Sequence, residues 1–188
     1  MRTFIAIELP QAVTAALGNV LKTLTAFKLN IRWVRPENIH LTLKFLGDTP
    51  PEAVAPISRA LSESVRNFSP ISLSAKGSGA FPGIKNPRVI WVGLSGQVPQ
   101  LKLLQLALAE NLAALGFEKE KRPFKAHLTL GRTKGTVDPM KLNAALNSVM
   151  EFQTEPFSAD RIFLFQSDLK PTGPVYTKIA SAALAPPL

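Results

Sequence analysis

The tetrapeptide His40-Leu41-Thr42-Leu43 recurs letter for letter as His127-Leu128-Thr129-Leu130, 87 residues further along the chain. These eight residues contain both of the chain's histidines. Threonine is 12 of 188 residues, so a Thr two places after each histidine arises by chance at roughly 0.4%. The same offset lays Phe4-Ile5-Ala6 over Trp91-Val92-Gly93, and the segment beginning at Pro51 over the one beginning at Asp138-Pro139. An offset of 86 aligns Pro70-Ile71-Ser72 with Pro156-Phe157-Ser158. A unit of about 85 residues has been used twice, and the chain reads as a single domain over 1–188, built from halves at roughly 1–85 and 86–182. Duplicated halves tend to pack about a pseudo-two-fold axis, which would set the two motifs face to face.

Outward from the motifs, each half alternates strands and helices. In 10–26, Val13, Leu17, Val20, Leu21 and Leu24 recur on one helical face, and in 99–115 Leu101, Leu104, Leu108, Leu112 and Leu115 do the same. Shorter helices are expected over 51–66 and 139–150. All four begin at a proline, whose missing N–H costs nothing in a first turn. Asp138 is placed to cap the last, and Gly116 to stop the second long one. Strands are expected at Thr3–Glu8, Ile31–Val34, His40–Leu46, Ile71–Ala75, Val89–Leu94, His127–Arg132, Phe157–Leu164 and Val175–Ala180. The tail Ala185-Pro186-Pro187-Leu188 reads as frayed.

Composition narrows the function. The chain has no cysteine, which excludes disulfides, thiolate metal sites and a cysteine nucleophile. Lys and Arg outnumber Asp and Glu by 22 to 13, giving a net charge of +9 that suits an anionic partner such as nucleic acid. No apolar run reaches the roughly 18 residues of a membrane span, and Glu8 interrupts the N-terminus too early for a signal peptide. A soluble, cytoplasmic protein is expected. Gly77-Ser78-Gly79 lacks the third glycine and following helix of a dinucleotide-binding turn.

On a strand, His40, Thr42 and Lys44 share one face while Leu41, Leu43 and Phe45 share the other. The second copy sets His127 with Thr129 in the same way. Two histidines without a third nitrogen or sulfur ligand make a poor metal site, so neither metal nor cofactor is expected. Paired imidazoles suit general acid–base work, one neutral and one protonated near neutral pH. Threonine hydroxyls two residues on suit the oxygens of an anion held between them. Which histidine is acid and which base stays open on this reasoning. An ordinary half-buried strand copied by duplication is the bland alternative.

The paired His-X-Thr-X motifs resemble those of the 2H phosphoesterase superfamily, and more closely the RNA 2′,3′-cyclic phosphodiesterases, historically called 2′-5′ RNA ligases (LigT-like). The likeness includes Phe4-Ile5-Ala6-Ile7-Glu8-Leu9-Pro10, Trp33-Val34, Pro36-Glu37-Asn38-Ile39 and Lys44-Phe45-Leu46-Gly47. It continues through Pro87-Arg88-Val89-Ile90-Trp91-Val92-Gly93, Arg122-Pro123-Phe124, Gly131-Arg132, Phe165-Gln166-Ser167 and Gly173-Pro174-Val175-Tyr176. Ala126 stands where the family often has proline. The resemblance implies an α+β, bilobal fold: two antiparallel sheets, outer helices and a central cleft lined by the motifs. It implies a monomeric hydrolase of RNA 2′,3′-cyclic phosphate ends, such as those of tRNA fragments, that leaves a 2′-phosphate and is also able to form 2′-5′ linkages. By motif position His40 is the proton donor, His127 the proton acceptor, and Thr42 and Thr129 hold the phosphoryl oxygens. The motif positions Leu41, Leu43, Leu128 and Leu130 are carried over as substrate-binding.

Three further residues are candidates for substrate contact. Arg132 suits a phosphate, but strict alternation puts it on the face opposite His127, so a bend is needed. Phe4 and Trp91, equivalent in the two halves, are placed to flank a base or to pack in the core. Lys119, Lys121, Arg122, Lys125, Arg132 and Lys134 cluster around the second motif as a candidate RNA track, diluted by Glu118 and Glu120. Two other readings stand beside the RNA enzyme: a non-catalytic RNA- or nucleotide-binding module, and a cyclic phosphodiesterase acting on a small nucleotide.

Overall fold

Two antiparallel sheets carry the two motifs. The computed structural model describes residues 1–171 and 173–185; the end of the tail expected to fray, 186–188, lies outside the described residues. In the first sheet β3 (His40–Asp48) pairs with β1 (Arg2–Glu8), which pairs with β8 (Arg161–Lys170) and then β9 (Gly173–Ala183). In the second, β2 (Ile31–Trp33), β6 (His127–Thr133), β5 (Val89–Gly96), β4 (Ile71–Phe81) and β7 (Phe157–Ala159) follow one another. Each sheet turns one face to a shared core. There Leu41, Leu43, Leu128 and Leu130 are sealed at 0–2% exposure with the leucines of α1 (Gln11–Thr25), α2 (Val54–Val65) and α3 (Val98–Ala113). A smaller cluster under α4 (Pro139–Asn147) joins Ile31, Ile90 and Val137 to Leu142 and Leu146.

The helix ends follow from local chemistry. The Asp138 carboxylate accepts from the backbone N–H groups of Met140 and Lys141, at 2.9 and 3.3 Å, capping α4 as expected. At the far end of α3, Gly116 lies at φ +91°, its N–H donating to the Ala113 carbonyl and that of Phe117 to Leu112. This is the paired closure that needs a left-handed residue, which glycine supplies without a Cβ penalty. Pro51 opens a short 3-10 turn rather than α2 itself, which begins at Val54.

The repeat and the sheets do not coincide. Strands late in each half cross into the other half's sheet: β4 pairs with β5, and β8 with β1, carrying β9 with it. The short strand β2 also crosses, to pair with β6. A segment read as one strand, Phe157–Leu164, breaks at Asp160, its first part joining the second sheet and its remainder the first. Ser72 pairs directly with Ser158, with Ile71 opposite Ala159 and Leu73 opposite Phe157. Ser72 and Ser158 are the equivalent residues at the offset of 86. A residue that pairs with its own repeat copy marks the pseudo-two-fold axis, so the dyad passes between these two serines.

Candidate active site

On β3 and β6 the faces turned away from the core meet across a cleft of about 400 Å3. Its lining includes His40, Thr42 and Phe45 from β3, Thr129 and Arg132 from β6, and Tyr176 from β9. Both motif threonines thus open on one space, and His127 lies two residues before Thr129 on the same face of its strand. Each histidine is held alike. His40 Nδ1 lies 2.8 Å from the Asn38 carbonyl oxygen, and His127 Nδ1 lies 2.7 Å from that of Lys125. A carbonyl only accepts, so each Nδ1 carries the proton and donates it. The tautomer is thereby fixed in both copies, leaving Nε2 with the lone pair, or with the labile proton when the ring is charged.

One extra residue within each motif shapes the cleft. Ile5 pairs with Lys44 and Ala6 with Thr42, so Leu43 is unopposed; Ile90 pairs with Gly131 and Trp91 with Thr129, so Leu130 is unopposed. These bulges are equivalent in the repeat, and each reverses the alternation beyond it. Two expectations change as a result. Lys44, assigned to the histidine face, is buried at 4%, while Phe45, assigned to the core, is 60% exposed and lines the cleft. Arg132 gains the bend it required and reaches the cleft in the position equivalent to Phe45.

The four motif leucines are corrected in role. Their side chains face the core with no exposure to the cleft, so they do not bind substrate through those side chains; each contributes about 1.5–3 kcal/mol of burial that fixes its strand. Phe4 is 4% exposed, with its ring stacked 4.7 Å from His40 and 5.2 Å from Phe165. It lines the cleft and, stacked between these two rings, supports the imidazole. Trp91 lies on Gly79, where a Cβ would come within 2.3 Å of the indole. The ring beside His127 is Phe81, edge-on at 5.1 Å, with Trp91 packed against it at 5.0 Å.

Phe81 was missed because the strand carrying it was expected to stop at Ala75. Tyr176 is the second missed residue. It is the chain's only tyrosine and meets His40 edge-on at 5.3 Å. Burial raises its phenol above the ordinary value, opposed by the nearby Arg132 charge, so the hydroxyl stays protonated at neutral pH.

Burial pushes His40 below the ordinary histidine value, and its bond to the Asn38 carbonyl opposes this. The folded protein then binds fewer protons than the unfolded chain once pH falls below about 6.5. Stability is expected to decline from there down through the lowered folded value, then level off for this group. Chemical unfolding of wild type and His40→Asn across pH 4–8 checks it: the variant loses that part of the slope, and an unchanged slope removes His40 as its source.

Fold and site together define a duplicated plan with one His-X-Thr-X motif on a strand of each half. The LigT-like phosphoesterase profile matches the chain twice, over residues 7–91 and 92–176, and the chain belongs to that family. An RNA 2′,3′-cyclic phosphodiesterase of Archaeoglobus fulgidus is 36% identical over 179 residues, covering 94% of this chain and 96% of that protein. One from Methanothermobacter thermautotrophicus is 30% identical over 177 residues, covering 94% and 95%. The crystal structure of TT0787 of Thermus thermophilus superposes with a TM-score of 0.79 at 28% identity, covering 98% of both chains. Among the described residues no helix is long and apolar enough to cross a membrane.

Proposed function

We propose that this protein hydrolyses RNA 2′,3′-cyclic phosphate ends to 2′-phosphates by paired-histidine acid–base catalysis. The observation that carries the reading is the matched pair of Nδ1–H bonds to backbone carbonyls, which reserves both Nε2 atoms for proton transfer. The similarity to RNA 2′,3′-cyclic phosphodiesterases over nearly the full chain supports the substrate.

In this mechanism His127 Nε2 removes a proton from water as its oxygen attacks phosphorus. The P–O3′ bond breaks, and His40 Nε2–H protonates the departing oxygen. The products are a 2′-phosphate and a free 3′-hydroxyl. The Thr42 and Thr129 hydroxyls donate to the non-bridging oxygens, and the Arg132 guanidinium offers them a charge-assisted contact. A 5′-hydroxyl in place of water would give a 2′-5′ linkage. Because burial favours neutral His40, its role as donor requires proton uptake as the phosphodiester anion binds, which a neighbouring negative charge promotes.

The decisive measurement is turnover of an oligonucleotide ending in a 2′,3′-cyclic phosphate, with EDTA present and across pH. A bell-shaped profile that survives the chelator, with a 2′-phosphate product identified by phosphorus NMR, is the expected result. Tight binding with no turnover would replace the enzyme by a binding module.

A further inference from the structure

Beyond Phe45 the active-site cleft meets a second groove of about 590 Å3, floored by Lys44, Phe45 and Leu46 of β3 and walled by the segment from Phe117 to Arg122. Phe45 lines both spaces and is their common rim. The wall is anchored from below. Buried Lys44 donates from Nζ to the Glu118 carbonyl at 2.6 Å, and its ammonium lies 4.0 Å from the Glu120 carboxylate. Lys119 is engaged by Glu110. Those pairs leave Lys121 and Arg122 exposed and without an ion-pair partner among the described residues, and Glu118 as the wall's unpaired carboxylate.

We infer that this groove holds the RNA strand on the 5′ side of the reacting nucleotide, with Lys121 and Arg122 contacting its backbone phosphates. The inference rests on the proposed reaction. A 2′,3′-cyclic phosphate exists only at the 3′ end of a chain, so everything else in the substrate leaves the cleft through the terminal nucleotide's 5′ oxygen. Around Phe45 the cleft is also lined by Arg2 and Gly47, which puts a cation at that exit. The exposed Phe45 ring gives a base a stacking platform at the junction, and the unpaired cations lie beyond it; an aromatic followed by a basic track suits single-stranded nucleic acid without reading sequence. Lys44 takes no part in binding. It is a positioning residue, holding the wall where its cations face the groove.

The test uses the full-length double variant Lys121→Gln/Arg122→Gln, with two readouts. Anisotropy of a labelled short oligoribonucleotide ending in a 2′-phosphate reads the groove without turnover. Affinity is expected to fall about tenfold at low salt, and the slope of log K against log salt to shrink by about 1.4, at roughly 0.7 per phosphate contact. Turnover of a 2′,3′-cyclic mononucleotide, which has no 5′ strand, is expected to match wild type. Unchanged oligonucleotide affinity and salt slope would overturn the inference, as would an equal loss on the mononucleotide. If wild type hydrolyses neither this mononucleotide nor an oligonucleotide ending in a 2′,3′-cyclic phosphate, the proposed reaction fails, while the anisotropy arm still decides the groove.

Discussion

Substituting either histidine with alanine is expected to lower turnover of a 2′,3′-cyclic phosphate by about 10²–10⁴, with the double variant falling little below the worse single one. The two rings act in one proton circuit, so losing either leaves the other without a counterpart, and the losses do not add. Circular dichroism and thermal melting are expected to show an intact fold, because each ring's one side-chain hydrogen bond goes to a carbonyl two residues away. His40→Asn separates position from chemistry. An asparagine amide can still donate to the Asn38 carbonyl, but it has no atom at Nε2, so that variant is expected to be as inactive as His40→Ala. Wild-type rates in any of these variants would end the paired-histidine mechanism.

How much of this was legible in the sequence differs from feature to feature. The repeat, the faces of His40, Thr42, His127 and Thr129, and the helix stripes follow from periodicity within a single segment, which a sequence displays directly. Phe45 and Arg132 do not. Their direction is set by unopposed Leu43 and Leu130, and an unopposed residue is a property of two strands in register. The exchange of β4 and β8 between sheets is hidden for a similar reason, since each strand satisfies its alternation equally well in either sheet. Asp160, where Phe157–Leu164 changes sheets, is a short polar residue between the β-formers Phe157 and Ile162. Tyr176 and Phe81 reach the histidines through tertiary packing alone, although a lone tyrosine in a chain with two histidines was a signal open to notice.

Thr42→Val and Thr129→Val carry the second large expectation: about 10²–10³ lost from kcat in each, with KM changing much less. Valine keeps the β-branched shape and the strand's preference for it, so only the hydroxyl is removed. Both threonines line the cleft directly, and each sits on its strand just before the bulge that turns Phe45 or Arg132 inward. A hydroxyl held there contributes most when negative charge builds on the phosphoryl oxygens during attack. Its loss therefore falls on the chemical step more than on binding. Serine is the control: Thr42→Ser and Thr129→Ser restore the donor and should recover most of the rate, at some cost in rotamer order. If the valine variants retain wild-type kcat, the oxygens are held from elsewhere in the cleft. Arg132, the remaining cation next to Thr129, then becomes the group to remove.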